Sequence, residues 1–186
     1  LECAFDKDAD IVCGSYEYCN VNGKLRRTIK GKDGVIDSLD SLNGVPWGKI
    51  YKSNLFSDVS FPEGYWYEDS IMRQVIFPCA SSIYSINEPV YCWRVNPLGV
   101  TSSGIGKKKC IDSLWITMQL YKDRLSLGLE TDQSYYDYIL RMARLTYLRS
   151  RYMPENIKKA VFIVFSDFVR TEFQGFHTEK YQDLEF

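Results

Sequence analysis

The sequence predicts a mixed α/β protein, in which a sheet-containing half is followed by an α-helical region. Residues 1–105 alternate short apolar runs with glycine, proline and asparagine turn signals, as strands and loops do. Residues 106–186 carry apolar side chains at helical spacing over long stretches. The boundary is therefore placed between residues 105 and 106. The length of 186 residues and the apolar content of 45% suffice for an ordinary core.

The first part of the chain is predicted to form a strand, a hairpin and a short helix. Residues 9–16 are mostly apolar, which is typical of a buried strand. Asn22-Gly23 is a turn signal, so residues 15–29 are predicted to form a β-hairpin. Asp33 can cap a helix, and the apolar residues after it have helical spacing. A helix is therefore expected over residues 33–42.

Residues 45–106 are the most punctuated part of the chain. Four apolar residues at i, i+1, i+4 and i+5 predict one buried helix face, and Pro78 predicts the end of that helix. These four are Ile71, Met72, Val75 and Ile76. The other elements expected here are an extended run at 45–51, a brief helix at 53–56, strands at 82–86 and 89–95, and a flexible segment at 96–106.

Three helices are predicted in the second region. A stripe of apolar residues runs from Ile111 to Leu125 and stops at Gly128. Residues 132–152 have apolar side chains all around the axis, which indicates a helix packed on several faces. Pro154 suits the first turn of a last helix, because proline loses no hydrogen bond there.

Composition argues against several classes of function. A net charge of −1 gives no overall field that would recruit nucleic acid or an anionic membrane. The six cysteines include no C-x-x-C pair and His177 is the single histidine, so no zinc-ligand pattern is present. We interpret the cysteines as free thiols, with a disulfide left open. Clustered basic residues are interpreted as solvated surface; they are Lys107, Lys108, Lys109, Arg141, Arg144, Arg149 and Arg151.

The beginning of the chain suggests a piece of a longer protein. Leu1-Glu2-Cys3-Ala4-Phe5 lacks an initiator methionine and is typical of the end of a helix. The sequence has no signal peptide and no apolar stretch near the roughly 18 residues of a membrane span. A cytoplasmic location is therefore expected.

The stretch most informative for chemistry is Phe61-Pro62-Glu63-Gly64-Tyr65-Trp66-Tyr67-Glu68-Asp69, an aromatic run that ends in two carboxylates. At a helix start, unpaired N–H groups and the helix dipole stabilise an ionised carboxylate, so simple capping is one interpretation. The other is catalysis, because a sugar hydroxyl that attacks an anomeric carbon must lose a proton, and a fixed carboxylate can accept it. Position alone favours capping.

Three pieces of the sequence resemble, in order, the second half of family 2 glycosyltransferases of the bacterial surface-polysaccharide type. The first is Ala9-Asp10-Ile11-Val12, followed by a polar hairpin; the second is Pro46-Trp47-Gly48-Lys49-Ile50-Tyr51, before a short helix. The third is Phe61-Pro62-Glu63-Gly64 with Tyr67-Glu68-Asp69, continued by Glu88-Pro89-Val90-Tyr91 and Trp93-Arg94. The resemblance covers residues 9–103, and residues 107–186 carry no motif of the family.

The resemblance implies part of a GT-A fold, a nucleotide-diphospho-sugar donor and inversion at the anomeric carbon. It assigns the catalytic base to the pair Glu68 and Asp69, with Asp69 favoured. Residues implied in acceptor or donor contact are Trp47, Lys49, Trp66, Tyr67, Arg94, Ser102 and Ser103. Arg94 is expected near the diphosphate leaving group, where a guanidinium would offset developing charge.

In this family a divalent cation, Mg²⁺ or Mn²⁺, is held by an Asp-x-Asp element of the donor-binding half, which is expected to precede Leu1. Asp6-Lys7-Asp8 has the letters, but it is predicted to end a helix before a strand. No metal ligand is therefore expected within these residues. The implied partners are the nucleotide-sugar and a glycan or lipid-linked acceptor, with no nucleic acid. Peripheral association with the inner membrane, and a homodimer through the helices of 106–186, are left open.

Two other functions stay open. A non-catalytic carbohydrate-binding or assembly module, derived from a glycosyltransferase, would keep the aromatic run without the donor half. A hydrolase would pair Glu63 with Glu68 or Asp69 as acid and base. Nothing in the sequence places Glu63 opposite Asp69, which disfavours the hydrolase.

Overall fold

A computed structural model describes residues 2–181 and divides into two compact units. The sheet unit extends to Phe61 and resumes with Ile71–Leu98, and the helical unit joins Pro62–Ser70 to the chain from Gly99 onward. A mixed α/β fold was predicted and is confirmed. The predicted boundary at 105/106 differs from this division, because a segment from the middle of the sequence packs with the helices.

One mixed sheet of five strands organises the sheet unit. The strands are β1 Ile11–Cys19, β2 Leu25–Ile29, β3 Gly34–Val35, β4 Lys49–Tyr51 and β5 Ile83–Arg94. Their order is β2-β1-β5-β3, and β4 also pairs with β1. β1 and β5 run parallel, whereas β1 is antiparallel to β2 and β4, and β3 is antiparallel to β5. β1 begins with Ile11, Val12 and Cys13, which are all buried in the core.

The hairpin predicted over residues 15–29 is confirmed. β1 and β2 are joined by a turn in which the Gly23 N–H donates to the Asn20 carbonyl at 2.9 Å. Gly23 has φ +77°, a conformation that glycine adopts without a steric cost. The turn therefore supplies the geometry that the Asn22-Gly23 signal predicts.

The helix predicted over residues 33–42 is wrong. Gly34 and Val35 pair with β5 as β3, and a single 3₁₀ turn forms at Leu39–Ser41. The Asp33 carboxylate accepts a hydrogen bond at 2.6 Å from the Asn87 N–H instead of capping a helix. Pairing with a neighbouring strand thus overrides the local helical spacing, which is a weak signal over so few residues.

Other local predictions in the sheet unit are partly confirmed. The 3₁₀ helix Ser53–Phe56 lies where a brief helix was expected. The apolar stripe after Asp69 begins at Ile71 and continues on a π-helix, Met72–Ile76. This helix is followed by α2 Phe77–Cys79, past the end that Pro78 was expected to mark. The four stripe residues are at most 3% exposed. The two strands expected at 82–86 and 89–95 form the single strand β5.

Near the start of the chain, α1 comprises Glu2–Asp6, so the helix expected there is confirmed for these residues, while Leu1 lies outside the described range.

The helical unit contains the three long helices that the sequence predicts. They are α4 Asp112–Ser126, α5 Gln133–Ser150 and α6 Glu155–Glu172, and they follow the short helix α3 Val100–Ser103, which lies within the segment expected to be flexible. Their core is built largely from aromatic rings, among them Tyr121, Tyr135, Phe168 and Phe173. Within residues 2–181, no helix has the length and apolarity that a bilayer crossing needs.

Candidate functional site

The segment Pro62–Ser70, here called the aromatic loop, is fastened to the beginning of α4. The Trp66 N–H donates to the Asp112 carboxylate at 2.9 Å. The Lys109 ammonium donates to the Gly64 carbonyl and forms an ion pair with Asp112 at 3.2 Å. It also lies 5.9 Å from the centre of the Trp66 ring. These polar contacts explain why the loop belongs to the helical unit, and they fix the backbone that leads to Glu68 and Asp69.

Tyr67 has a strained backbone at the centre of this loop. Its φ is +67°, which is rare for a residue with a large side chain. Its ring is only 9% exposed, and the Arg149 guanidinium lies 3.6 Å from the ring centre. The sequence predicts a sugar-contacting role for Tyr67, but here the ring serves mainly as a platform for Arg149. Such strain persists only where neighbouring contacts hold the residue in place, and strained residues are common at functional sites.

Asp69 is partly exposed and has an unusual electrostatic environment. Burial raises the pKa of its carboxyl, the neighbouring Glu68 carboxylate raises the pKa further, and the positive charge of Arg149 opposes both effects. This corrects the expectation that the start of a helix would dominate and favour the ionised form. A carboxylate with a raised pKa holds a proton more tightly, so Asp69 is a stronger base than an ordinary surface aspartate. Glu68, beside it, is exposed.

Arg149 is the residue of this site that the sequence analysis missed. It was interpreted as solvated surface, but it is only partly exposed, and burial lowers the pKa of its guanidinium. Its Nη1 atom is buried and has no hydrogen-bond partner among the described residues. A buried N–H group without a hydrogen-bond partner is energetically costly. Its presence next to a candidate base indicates that Arg149 can bind a negatively charged group at this site. A position on α5, eighty residues away in sequence, gives no local signal of this role.

A second set of predicted residues lies in the sheet unit, around an aromatic stack. The Trp47 ring stacks on Tyr91, with centroids 4.4 Å apart, and meets the edge of Tyr16 at 5.0 Å. Trp47 contributes to the walls of two cavities, of about 510 and 770 Å³. These volumes fall within the range of ligand pockets. Trp47 is therefore neither a fully buried core ring nor an isolated surface ring.

Lys49 lines the smaller of these cavities and is not the exposed surface charge that was the alternative in the sequence. Its ammonium donates to the Val45 carbonyl at 2.8 Å and lies 5.7 Å from the centre of the Phe77 ring. Burial lowers the pKa of this amine. The cavity is also lined by residues that the sequence analysis did not select, among them Cys13, Tyr16, Lys30, Lys32 and Ser85. They come from β1, from the segment after β2 and from β5, so only the tertiary structure brings them together.

The remaining predicted residues are placed as follows. Arg94 is exposed at the end of β5 and lines the larger cavity together with Trp47 and Trp93. Ser102 is exposed and Ser103 is partly exposed, and both lie on α3 in the helical unit. The candidate residues thus form one set in each unit.

The part of the chain that the structure describes contains no cluster of ligands that suits the Mg²⁺ or Mn²⁺ of the family. The one cluster of metal-binding groups there combines Glu17, Cys19 and Cys92. Mg²⁺ and Mn²⁺ prefer oxygen ligands, whereas thiolates suit softer ions. Asp8, of the Asp6-Lys7-Asp8 sequence, instead pairs with Lys52 at 2.8 Å. No catalytic step is therefore assigned to a metal ion here.

Searches with protein-family models, curated proteins and solved structures found no match to this chain.

Proposed function

We propose that this chain is the acceptor-side part of an inverting glycosyltransferase with a GT-A fold. The reaction would move a sugar from a nucleotide-diphospho-sugar to a hydroxyl of a glycan or lipid-linked acceptor, in the synthesis of a cell-surface polysaccharide. The observation that carries the proposal is Asp69, a partly exposed carboxylate with a raised pKa, next to a strained residue and the guanidinium of Arg149. Perturbed carboxylates of this kind concentrate at functional sites.

The chemistry assigned to Asp69 is that of a general base. As the acceptor oxygen bonds to the anomeric carbon, its proton passes to the Asp69 carboxylate and the nucleoside diphosphate leaves from the opposite face, which inverts the configuration. A raised pKa increases the driving force for that proton transfer, as long as the carboxylate starts ionised. Arg149 favours the ionised form through its positive charge. Asp69 therefore supplies the base, and Arg149 keeps that base ionised.

The residues of the sheet unit are assigned supporting roles in the same proposal. The Trp47 and Tyr91 stack offers an apolar surface of the kind on which the C–H face of a sugar packs. The exposed guanidinium of Arg94 suits the negative charge of a diphosphate. The cellular setting proposed with this activity is the cytoplasm, and peripheral association with the inner membrane stays open.

The test compares Asp69→Asn with Glu68→Gln in the full-length protein, assayed against a panel of nucleotide-sugars. Asparagine keeps the size of the side chain but cannot accept the proton, so turnover should fall by about 10²–10⁴-fold while donor binding is retained. Glu68 only contributes to the raised pKa of Asp69, so Glu68→Gln should lower turnover far less than Asp69→Asn does. Unchanged turnover in Asp69→Asn would exclude the assigned base.

A non-catalytic carbohydrate-binding module is the second candidate function. It is favoured by the aromatic stack and its two cavities, which lie on the sheet unit and need no base. Glycan binding that is lost in Trp47→Ala, with no turnover of any nucleotide-sugar by the full-length protein, would support this function over catalysis.

A further inference from the structure

Cys19 and Cys92 bring two sulfur atoms together on neighbouring strands of the sheet unit. Their Sγ atoms are 2.7 Å apart. β1 and β5 run parallel, and the register pairs Cys92 with Glu17 and Cys19 with Arg94, so the cysteines are diagonal neighbours. The pairing of β1 with β2 shifts register between Tyr18 and Cys19. Irregularities of this kind re-aim a side chain.

The sulfur separation decides between two uses of this pair. Glu17 lies close enough to join the two cysteines in a metal-binding cluster. However, two thiolates on one tetrahedral zinc ion, with bonds of about 2.3 Å, would hold their sulfur atoms about 3.8 Å apart. The observed 2.7 Å is too short for that arrangement and lies nearer to the length of a disulfide, about 2.05 Å. The pair is therefore arranged for a covalent bond rather than for a shared metal ion.

We propose that Cys19 and Cys92 form an oxidative modification site, at which a small-molecule disulfide such as glutathione disulfide converts the two thiols into a crosslink between β1 and β5. The proposal does not depend on the glycosyltransferase activity.

The difference in exposure of the two thiols sets the order of the reaction. Cys92 is exposed, whereas Cys19 is 2% exposed. The Cys92 thiolate therefore attacks glutathione disulfide first and expels one glutathione thiolate. Cys19 then displaces the second glutathione from the mixed disulfide. Two protein thiols are oxidised, one glutathione disulfide is reduced, and the two protons pass to the released glutathione thiolates.

The crosslink would stabilise the sheet unit near one of its cavities. It joins residues 73 positions apart in sequence, and a loop of this size restricts the unfolded chain strongly. Cys92 lines the cavity of about 770 Å³ that also contains Trp47 and Arg94. Oxidation should therefore raise the melting temperature, by on the order of 5–10 °C. It should also fix the end of β5 beside these two residues.

The test begins with the fully reduced protein, which is equilibrated with a glutathione disulfide and glutathione buffer, acid-quenched, and then alkylated in denaturant so that buried thiols also react. Before alkylation, the mass of the intact protein should be lower by two hydrogen atoms than that of the reduced protein. After alkylation, two of its six cysteines should remain unmodified. Chymotrypsin can cleave after Tyr16 and Tyr91, which separates Cys19 from Cys13 and Cys92 from Cys79. Non-reducing peptide mapping should then recover one linked pair, containing Cys19 and Cys92.

Two variants make the assignment specific. Cys92→Ser removes an exposed thiol and should abolish both the crosslink and the redox-dependent change in melting temperature. Cys79→Ser, at another exposed cysteine, should behave like the wild type. Stable glutathione attachment at Cys92 without a crosslink, or a linked pair through another cysteine, would overturn the proposal. Protection of both thiols by added zinc, with no loss of hydrogen, would overturn it in favour of a metal site.

Discussion

The two units use the same type of residue in different ways. In the sheet unit, Tyr16, Trp47 and Tyr91 contact one another but stay at least partly exposed, and Trp47 lines two cavities. In the helical unit, Tyr121 and Tyr135 are buried with the other core rings. The Tyr121 hydroxyl is satisfied by a hydrogen bond to Glu172 at 3.1 Å, and Arg124 lies 4.2 Å from the centre of the Tyr135 ring.

This difference shows that an abundance of aromatic residues does not by itself indicate a sugar site. The chain has 14 tyrosines, 10 phenylalanines and 4 tryptophans, and the rings of the helical core are enclosed by other side chains. A ring can contact a ligand only where one of its faces stays accessible to solvent. In this chain, the stacked rings of Trp47 and Tyr91 in the sheet unit are at least partly exposed. If the two units differ in this way, substitutions in the helical core and in the open stack should have effects of different size.

The largest effect is expected from the closed core of the helical unit. Phe165 is 2% exposed, whereas Phe162, on the same helix, is 40% exposed. Phe165→Ala should lower the free energy of unfolding by about 3–5 kcal/mol, because it leaves a cavity that the core cannot fill. Phe162→Ala should cost less than about 1 kcal/mol. Urea denaturation followed by circular dichroism measures both, and equal losses would contradict a core closed on one side of α6.

An intermediate effect on stability is expected from the open stack. Trp47→Ala removes two ring contacts, with Tyr16 and with Tyr91, but leaves no cavity inside a closed core, so the loss should be about 1–2 kcal/mol. Trp47→Phe keeps a flat ring and should recover part of this loss. Denaturation is measured on both variants, together with binding to a glycan array. A loss as large as that of Phe165→Ala would mean that Trp47 is a core ring, and the contrast between the units would fail.

A shift in pH dependence is expected from Arg149. Its positive charge lowers the pKa of Asp69, so Arg149→Gln should raise that pKa further. If Asp69 must be ionised to act, the acid limb of the pH–rate profile moves to higher pH in this variant. Arg151→Gln is the matched control, since Arg151 is exposed and lies 4.7 Å from the centre of the Tyr152 ring. An acid limb that does not move in Arg149→Gln would remove the assigned role of Arg149.

The smallest effect is a gain in stability on removal of the candidate base. The pKa of Asp69 is raised in the folded protein, so Asp69 contributes stability that is complete below the unfolded carboxyl pKa, about 3.9, and is lost as the pH rises through the folded pKa. Asp69→Asn carries no charge, so its urea midpoint should exceed that of the wild type at pH 7. This advantage should disappear near pH 3. Asp167→Asn, the same change at an exposed position on α6, is the control and should show little change. A lower midpoint for Asp69→Asn at pH 7 would contradict the raised pKa.

Local sequence signals predicted much of the fold. The Asn22-Gly23 turn, the apolar stripe after Asp69 and the three long helices are all found, because each depends on contacts between residues close in sequence or on a long periodic pattern. The helix expected at 33–42 failed because β3 pairs with β5, fifty residues further along the chain. The pair of strands expected at 82–95 merged into β5, since its parallel pairing with β1 continues past the Asn87-Glu88 break through a shift in register.

For the candidate site, too, the sequence identified some of the residues, and the tertiary structure set their chemical properties. The sequence alone singled out Asp69 and Trp47, because carboxylates after an aromatic run and the Pro46-Trp47 motif are visible as letters. It could not predict that burial, rather than a helix dipole, dominates the pKa of Asp69, nor that Arg149 covers Tyr67. It also gave no sign that Cys19 meets Cys92. Proton affinity and thiol reactivity depend on neighbours and solvent access, which are set by groups far apart in sequence, so only the tertiary structure decided them.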